Sequence, residues 1–191
     1  IKNFERLDVL KEVLSKIKKN TKLISTTGYT SRELFYLRNK KSYHSKGKDF
    51  YMVGGMGHAS AVALGIAMNK TKQEVLCLDG DGSILMHLGS MRTIGFNRKK
   101  NFKHIIFNNG THESVGGQPT HALGIDFKKL SGSLGYKNYF SANNMISLKK
   151  KIKIFIKSIG PSLFEIKITE GTLKKLPRPK NFIEIKKNFF K

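Results

Sequence analysis

Apolar residues recur along this chain in two alternating rhythms, and the alternation predicts a fold class before any residue chemistry is considered. Residues 2–19 carry Phe4, Leu7, Leu10, Leu14 and Ile17 at helical spacing with charges between them, the pattern of an amphipathic helix. Residues 22–26 (KLIST) read as a short strand running into Thr27 and Gly28. A helix is expected from Ser31, a candidate N-cap followed by Leu34, Phe35 and Leu37. Residues 38–49 are polar and basic and read as a surface loop. FYMV (50–53) reads as a strand that ends in the turn Gly54, Gly55, Met56, Gly57.

A helix of small residues follows from Ala59 to near Asn69, with Ala59, Val62, Ala63, Ile66 and Ala67 on one face. EVLCL (74–78) reads as a buried parallel strand ending at Gly80, Asp81 and Gly82. Ser83 opens a further helix with Leu85, Leu88, Met91 and Gly95 on one side. The basic loop 97–103 leads to a strand over HIIF (104–107), which ends at Asn108, Asn109 and Gly110. Residues 111–124 form a Gly- and Pro-containing loop, long enough inside a compact domain to suggest function. A helix near 126–134, a strand near 137–140, a helix over 145–158 with Leu148, Ile152, Phe155 and Ile159 in phase, and a strand over 162–168 complete the pattern. Strands alternating with helices predict an α/β fold, a parallel sheet flanked by helices on both faces. Ligands of such sheets sit at the carboxyl ends of the strands, and the distinctive residues of this chain cluster at four of those ends.

Composition narrows the classes. With 191 residues the chain suits one domain with a tail: residues 1–170 as the folded domain and the Lys-rich residues 171–191 along its surface or partly disordered. No apolar run approaches the ~20 residues of a membrane span, and the charged N-terminus is not a secretory signal. The chain starts at Ile1 rather than Met, as a fragment of a longer chain or a processed one would, and both a C-terminal fragment and a separately encoded subunit remain open. The single cysteine, Cys77, lies in a strand interior and reads as a buried thiol in a protein of the reducing cytoplasm. The net charge of +23 is carried mostly by lysines spread along the chain. Arginine would be favoured for bidentate recognition of phosphates or bases, so the charge argues for biased composition rather than a nucleic-acid partner. It would still steer anions toward the domain.

The chemistry sits in the turns. Gly80, Asp81, Gly82 and Ser83 let backbone N–H groups approach a phosphate at a helix N-terminus. Asp81 has the wrong charge to face a phosphate unless Mg²⁺ lies between them. Asn109 offers a second oxygen and the Thr111 carbonyl a third. The spacing fits neither a Walker A loop nor a dinucleotide GxGxxG motif. Asn109 follows Asp81 by 28 positions, and the whole run resembles the GDG…NN signature of thiamine-diphosphate enzymes. The segments STTGYTSRELF (25–35), MGHAS (56–60), LDGDGSILMHLGSMRTIGF (78–96) and NNGTHESVGGQPTH (108–121) resemble phosphonopyruvate decarboxylases, and more loosely the β subunit of sulfopyruvate decarboxylase.

That resemblance implies a thiamine-diphosphate-binding (PP-type) domain. It implies that Asp81, Asn109 and Thr111 hold Mg²⁺ on the cofactor, with Thr27, Gly28, Gly54, Met56, Gly57, Gly80, Gly82, Ser83 and Asn108 around it. By the same resemblance, the Gly54 carbonyl meets the aminopyrimidine and Met56 bends the cofactor. The implied reaction is decarboxylation of 3-phosphonopyruvate to phosphonoacetaldehyde. The implied partner is a pyrimidine-binding domain or subunit, absent from this chain, that supplies the activating Glu within a homo- or hetero-oligomer. A small anionic 2-oxoacid needs cations and proton carriers at the rim. His58, His112 and Glu113 are the catalytic candidates, with His121 and Arg32 nearby, whereas His44, His87 and His104 read as structural. Tyr29 occupies a position expected beside the diphosphate. Sulfopyruvate decarboxylation, a cofactor-binding subunit without activity and a non-catalytic basic nucleic-acid-binding α/β protein remain open alternatives.

Overall fold

A computed structural model describes residues 4–40 and 49–190. The expected basic loop at 38–49 falls mostly outside these residues, as does His44. Six parallel strands form one sheet: β1 (Lys22–Ser25), β2 (Asp49–Tyr51), β3 (Val75–Gly80), β4 (Phe102–Asn108), β5 (Asn138–Ala142) and β6 (Ser162–Lys167), in the order β2-β1-β3-β4-β6-β5. Strands β3 and β4, at the centre, are buried along nearly their whole length, which is why both read as near-continuous apolar runs.

Helices cover both faces, as the alternation predicts. Helices α1 (Arg6–Lys16), α2 (Tyr29–Arg38) and α7 (Met145–Lys157) pack one face with Leu23, Leu76, Leu78, Ile105 and Phe164. Helices α3 (Ala59–Asn69), α4 (Asp81–Met86), α5 (Gly89–Asn97) and α6 (Phe127–Leu134) pack the other around Ile24, Cys77, Ile106 and Leu163. The helix after β1 and the helix after β3 therefore leave the sheet on opposite sides, although β1 and β3 are neighbours. A crevice opens between the carboxyl ends of two such strands.

Four local expectations differ from the structure. Helix α2 begins at Tyr29, with Gly28 at φ +96° as its N-cap residue, not at Ser31. The Ser31 hydroxyl bonds backward, donating to the Thr26 carbonyl at 2.6 Å, so it is not available as a cap. The single helix expected from Ser83 is two, because His87 leaves helical geometry (φ −135°, ψ 50°) between α4 and α5. In α1 the buried face includes Arg6, Val9 and Val13, while Leu7 and Ile17 are only half-buried. The segment after Gly171 is not simply surface chain. It forms α8 (Phe182–Phe190) against β2, with Phe189 in the core and the Lys22 ammonium donating to the Phe189 carbonyl.

Candidate functional site

The crevice at the β1–β3 switch is a cleft lined by residues from the turns after three neighbouring strands. The turn after β1 contributes Thr26, Thr27, Tyr29 and Thr30, the turn after β3 contributes Gly80 to Ser83, and the turn after β4 contributes Asn109 and Thr111 to Ser114. Met56 and Arg6 close its sides. A second cavity adjoins it, sharing Thr27, Tyr29, Met56 and Ser114 and adding Gly28, Arg32, Met52, Val53 and Arg178.

Asp81 and Asn109, expected to meet across one cavity, both line this cleft. The Asp81 carboxylate is 2 % exposed, and its Oδ2 accepts from the Gly110 N–H at 3.0 Å and the Thr120 hydroxyl at 2.6 Å. Burial pushes this carboxyl above its ordinary value, against those hydrogen bonds; a divalent cation would favour the charged form. Asn109 donates Nδ2 to Glu113 Oε2 at 3.1 Å and accepts the Thr111 N–H on Oδ1 at 3.2 Å. The Thr111 hydroxyl is buried without a hydrogen-bond partner.

Glycine is required at two positions here. A Cβ on Gly82 would overlap the His112 ring, so the backbone of the first turn of α4 reaches the cleft only without a side chain. At Gly28 a Cβ would lie 2.7 Å from the Ser114 hydroxyl. The Ser83 hydroxyl ties three turns together, 2.8 Å from Thr26 Oγ1 and accepting the Gly57 N–H at 3.0 Å. The carboxylate of Asp81, the amide of Asn109 and the hydroxyls of Thr26 and Ser83 beside a glycine turn at a helix start are the donor types that suit a Mg²⁺–diphosphate group.

The remaining candidates distribute unevenly. His112 lines the cleft beside Gly82. His58 is exposed and packs against His87 with its ring tilted, ring centroids 4.0 Å apart. His87, read from sequence as lacking any place at the rim, is thereby brought to it. Gly54 and Gly57 lie in the turn after β2 at φ +70° and +92°. Asn108 does not reach the cleft: it is fully buried and donates to Glu165 Oε1 at 2.8 Å beneath the sheet end. Successive residues of a strand face opposite sides, so of the Asn108–Asn109 pair only the second faces the cavity. His104 is buried, 2.9 Å from the Tyr136 hydroxyl and 3.5 Å from Asp79. Cys77 is also buried, and burial pushes its thiol well above the usual value.

Sequence reasoning missed Thr120, Glu33 and Arg6. Arg6 is 5 % exposed, donates twice to Glu113 Oε2 at 3.0 and 2.7 Å, and approaches Glu33 at 3.4 Å. Its helix carries charges on several sides, so nothing in the pattern distinguished one inward-facing arginine. Tyr29 lies between Arg6 and Arg32, whose guanidinium carbons are 5.8 and 5.6 Å from its ring centre.

Residues 26–166 match the thiamine pyrophosphate enzyme, C-terminal TPP binding domain. A phosphonopyruvate decarboxylase of Streptomyces viridochromogenes is 35% identical over 175 residues, covering 92% of this chain and 42% of that protein. A sulfopyruvate decarboxylase subunit beta of Methanocaldococcus jannaschii is 38% identical, covering 61% of this chain and 58% of that one. The corresponding subunit of Methanococcus maripaludis is 31% identical, covering 76% and 74%. A structure of a thiamin diphosphate-dependent enzyme from Mycobacterium smegmatis superposes with a TM-score of 0.70 at 15% identity, over 87% of this chain and 32% of that one, and shares the fold. The chain thus spans about two fifths of the curated phosphonopyruvate decarboxylases it matches. A glycine-cradled turn, a buried aspartate and a facing asparagine at a sheet switch point agree with the sequence match: the chain belongs to the thiamine pyrophosphate enzymes, as a C-terminal TPP-binding domain.

Proposed function

We propose that this chain is the cofactor-binding part of a thiamine-diphosphate- and Mg²⁺-dependent decarboxylase acting on 3-phosphonopyruvate. The observation that carries the reading is the shared cleft of Asp81 and Asn109, reached by the side-chain-free backbone of Gly82. The similarity to phosphonopyruvate decarboxylases over most of the chain supports the substrate.

Asp81, the Asn109 amide oxygen and the Thr111 carbonyl would hold the cation, and the N–H groups at the start of α4 would face the diphosphate. Thiamine diphosphate, when bound, supplies the nucleophilic carbon and the electron sink for loss of CO₂. Met56, at the boundary of the two cavities, would press on the cofactor from the apolar side. His112, half-buried beside Gly82, is placed to carry a proton at the cleft, and His58 stands at the rim. The lysine-rich surface would draw a multiply anionic 2-oxoacid inward. The activating Glu would come from a pyrimidine-binding domain or subunit, putting the complete active site at an interface.

Asp81→Ala is expected to abolish Mg²⁺-dependent cofactor binding, measured calorimetrically, while the far-ultraviolet spectrum stays that of the folded domain. Unchanged binding would remove Asp81 from the site. A second reading, sulfopyruvate decarboxylation, is favoured by the relatives named as beta subunits. Relative turnover of the phosphonate and sulfonate substrates by the complete assembly decides between them, and a preference for the sulfonate would overturn the first.

A further inference from the structure

We propose that Glu113 is a positioning residue for the cation site, orienting the Asn109 amide, and that Arg6 fixes Glu113 in place. The inference rests on the proposal that Asp81 and Asn109 hold the cofactor's divalent cation.

An asparagine amide has a donor end and an acceptor end of nearly the same shape, and only the acceptor can ligate a cation. A carboxylate is acceptor-only. Glu113 Oε2 lies 3.1 Å from Asn109 Nδ2, so the donor end is held there and Oδ1 is committed to the other side. The Thr111 N–H, 3.2 Å from Oδ1, selects the same orientation from the opposite end. Rotating the amide would face a donor with a donor and place an NH₂ group toward the cation.

Both oxygens of Glu113 already accept hydrogen bonds in this arrangement. Oε2 also accepts both terminal nitrogens of Arg6, and Oε1 accepts the Gly171 N–H at 2.7 Å. Arg6 Nε faces Glu33 Oε2 at 3.4 Å as an ion pair without a hydrogen bond, and Glu33 Oε1 accepts the Thr172 hydroxyl at 2.9 Å. Arg6, Gly171 and Thr172 all lie outside the residues 26–166 matched to the family. The chain before β1 and the chain after β6 thus meet at the loop that follows β4, and the orientation of one cation ligand depends on both. Residues that orient metal ligands typically contribute roughly 10–100-fold in metal affinity.

The test uses the full chain with its partner domain and thiamine diphosphate, with Mn²⁺ replacing Mg²⁺ so that binding is read by paramagnetic resonance. Glu113→Ala should weaken Mn²⁺ binding by roughly 10–100-fold with the circular dichroism spectrum unchanged. In an Asn109→Ala background the same substitution should cost nothing further, because the route runs through that amide. Arg6→Lys, which keeps the charge and loses the two-pronged contact, should give a smaller loss in the same direction. If Glu113→Ala does not fold, Glu113→Gln enters the same cycle. Unchanged Mn²⁺ affinity in the Glu113 variant, or losses that simply add in the double variant, would overturn the role of Glu113. Unchanged affinity in Arg6→Lys would remove Arg6. A fall in kcat at unaltered Mn²⁺ affinity would place Glu113 on the substrate instead. Failure of the unsubstituted protein to bind Mn²⁺ with the cofactor would overturn the site assignment itself.

Discussion

Single hydroxyls and amides hold this site in shape as much as the charged residues do. Ser83 is 5 % exposed and its oxygen serves both Thr26 and the Gly57 N–H. Removing it leaves a buried backbone donor without a partner, which costs about 1–3 kcal/mol. Ser83→Ala is therefore expected to lower the unfolding free energy by that amount, read from denaturant titration, and to weaken cofactor binding, since the turns after β1, β2 and β3 lose their common tie. An unaltered midpoint would mean that water or a neighbouring group replaces the bond. That Asp81, Gly82 and Asn109 would line one cleft was legible from sequence because glycines and amides at strand ends stand out against apolar runs. Asn108 was misplaced because sequence lists neighbours, whereas the pleat sends them to opposite faces. Arg6 and Thr120 stayed hidden because their partners, Glu113 and Asp81, lie 107 and 39 positions away.

At the scale of elements, close approach between α5 and α6 depends on Gly95. A Cβ there would fall on the Leu134 carbonyl, and backbone cannot rotate away as a side chain does. Gly95→Ala should destabilise the domain by about 1–3 kcal/mol or more through forced displacement of α6. Thermal melting of the variant checks it; an unchanged melting temperature would show that α6 shifts freely. Helix and strand identities were readable from periodicity for most elements, because burying a strand on both faces or a helix on one leaves distinct spacings. The break between α4 and α5 was not readable. Leu85, Leu88, Met91 and Gly95 continue in phase across it, yet His87 departs from helical geometry, where its ring crowds Gly57. The start of α2 was misread for a related reason: Ser31 suits a cap by type, but folding points its hydroxyl back at β1.

At the scale of the whole molecule, the segment before β1 and the segment just after β6 are fastened to each other beside the site. The Thr169 N–H donates to the Phe4 carbonyl at 2.9 Å, and Glu33 receives Thr172 while facing Arg6, with Glu113 and Glu5 adding negative potential. Burial is the dominant influence on Glu33 and raises its carboxyl above the ordinary 4.5, against the lowering effect of Arg6. The unfolded chain then releases this proton first. Its contribution to stability is present below the unfolded value and declines as pH rises through the folded value. Glu33→Gln keeps the acceptor for Thr172 and removes the titration. The denaturant midpoint of the variant should therefore gain relative to the parent as pH rises from about 4.5 through the folded value. Parallel pH profiles for the two proteins would refute this. No described helix is long and apolar enough to cross a membrane.

The sequence alone determined the alternation of strands and helices, the sheet type, and the strand ends whose residues line the cleft. Those properties are local: they follow from spacing, from glycine's freedom and from the donor set of each side chain. The tertiary structure alone decided the strand order, and so which turns share a crevice. It also decided which end of Asn109 faces Glu113 and which arginine is drawn inward to pair with that glutamate. These depend on residues far apart in the chain, and only the packed sheet brings them within hydrogen-bonding distance.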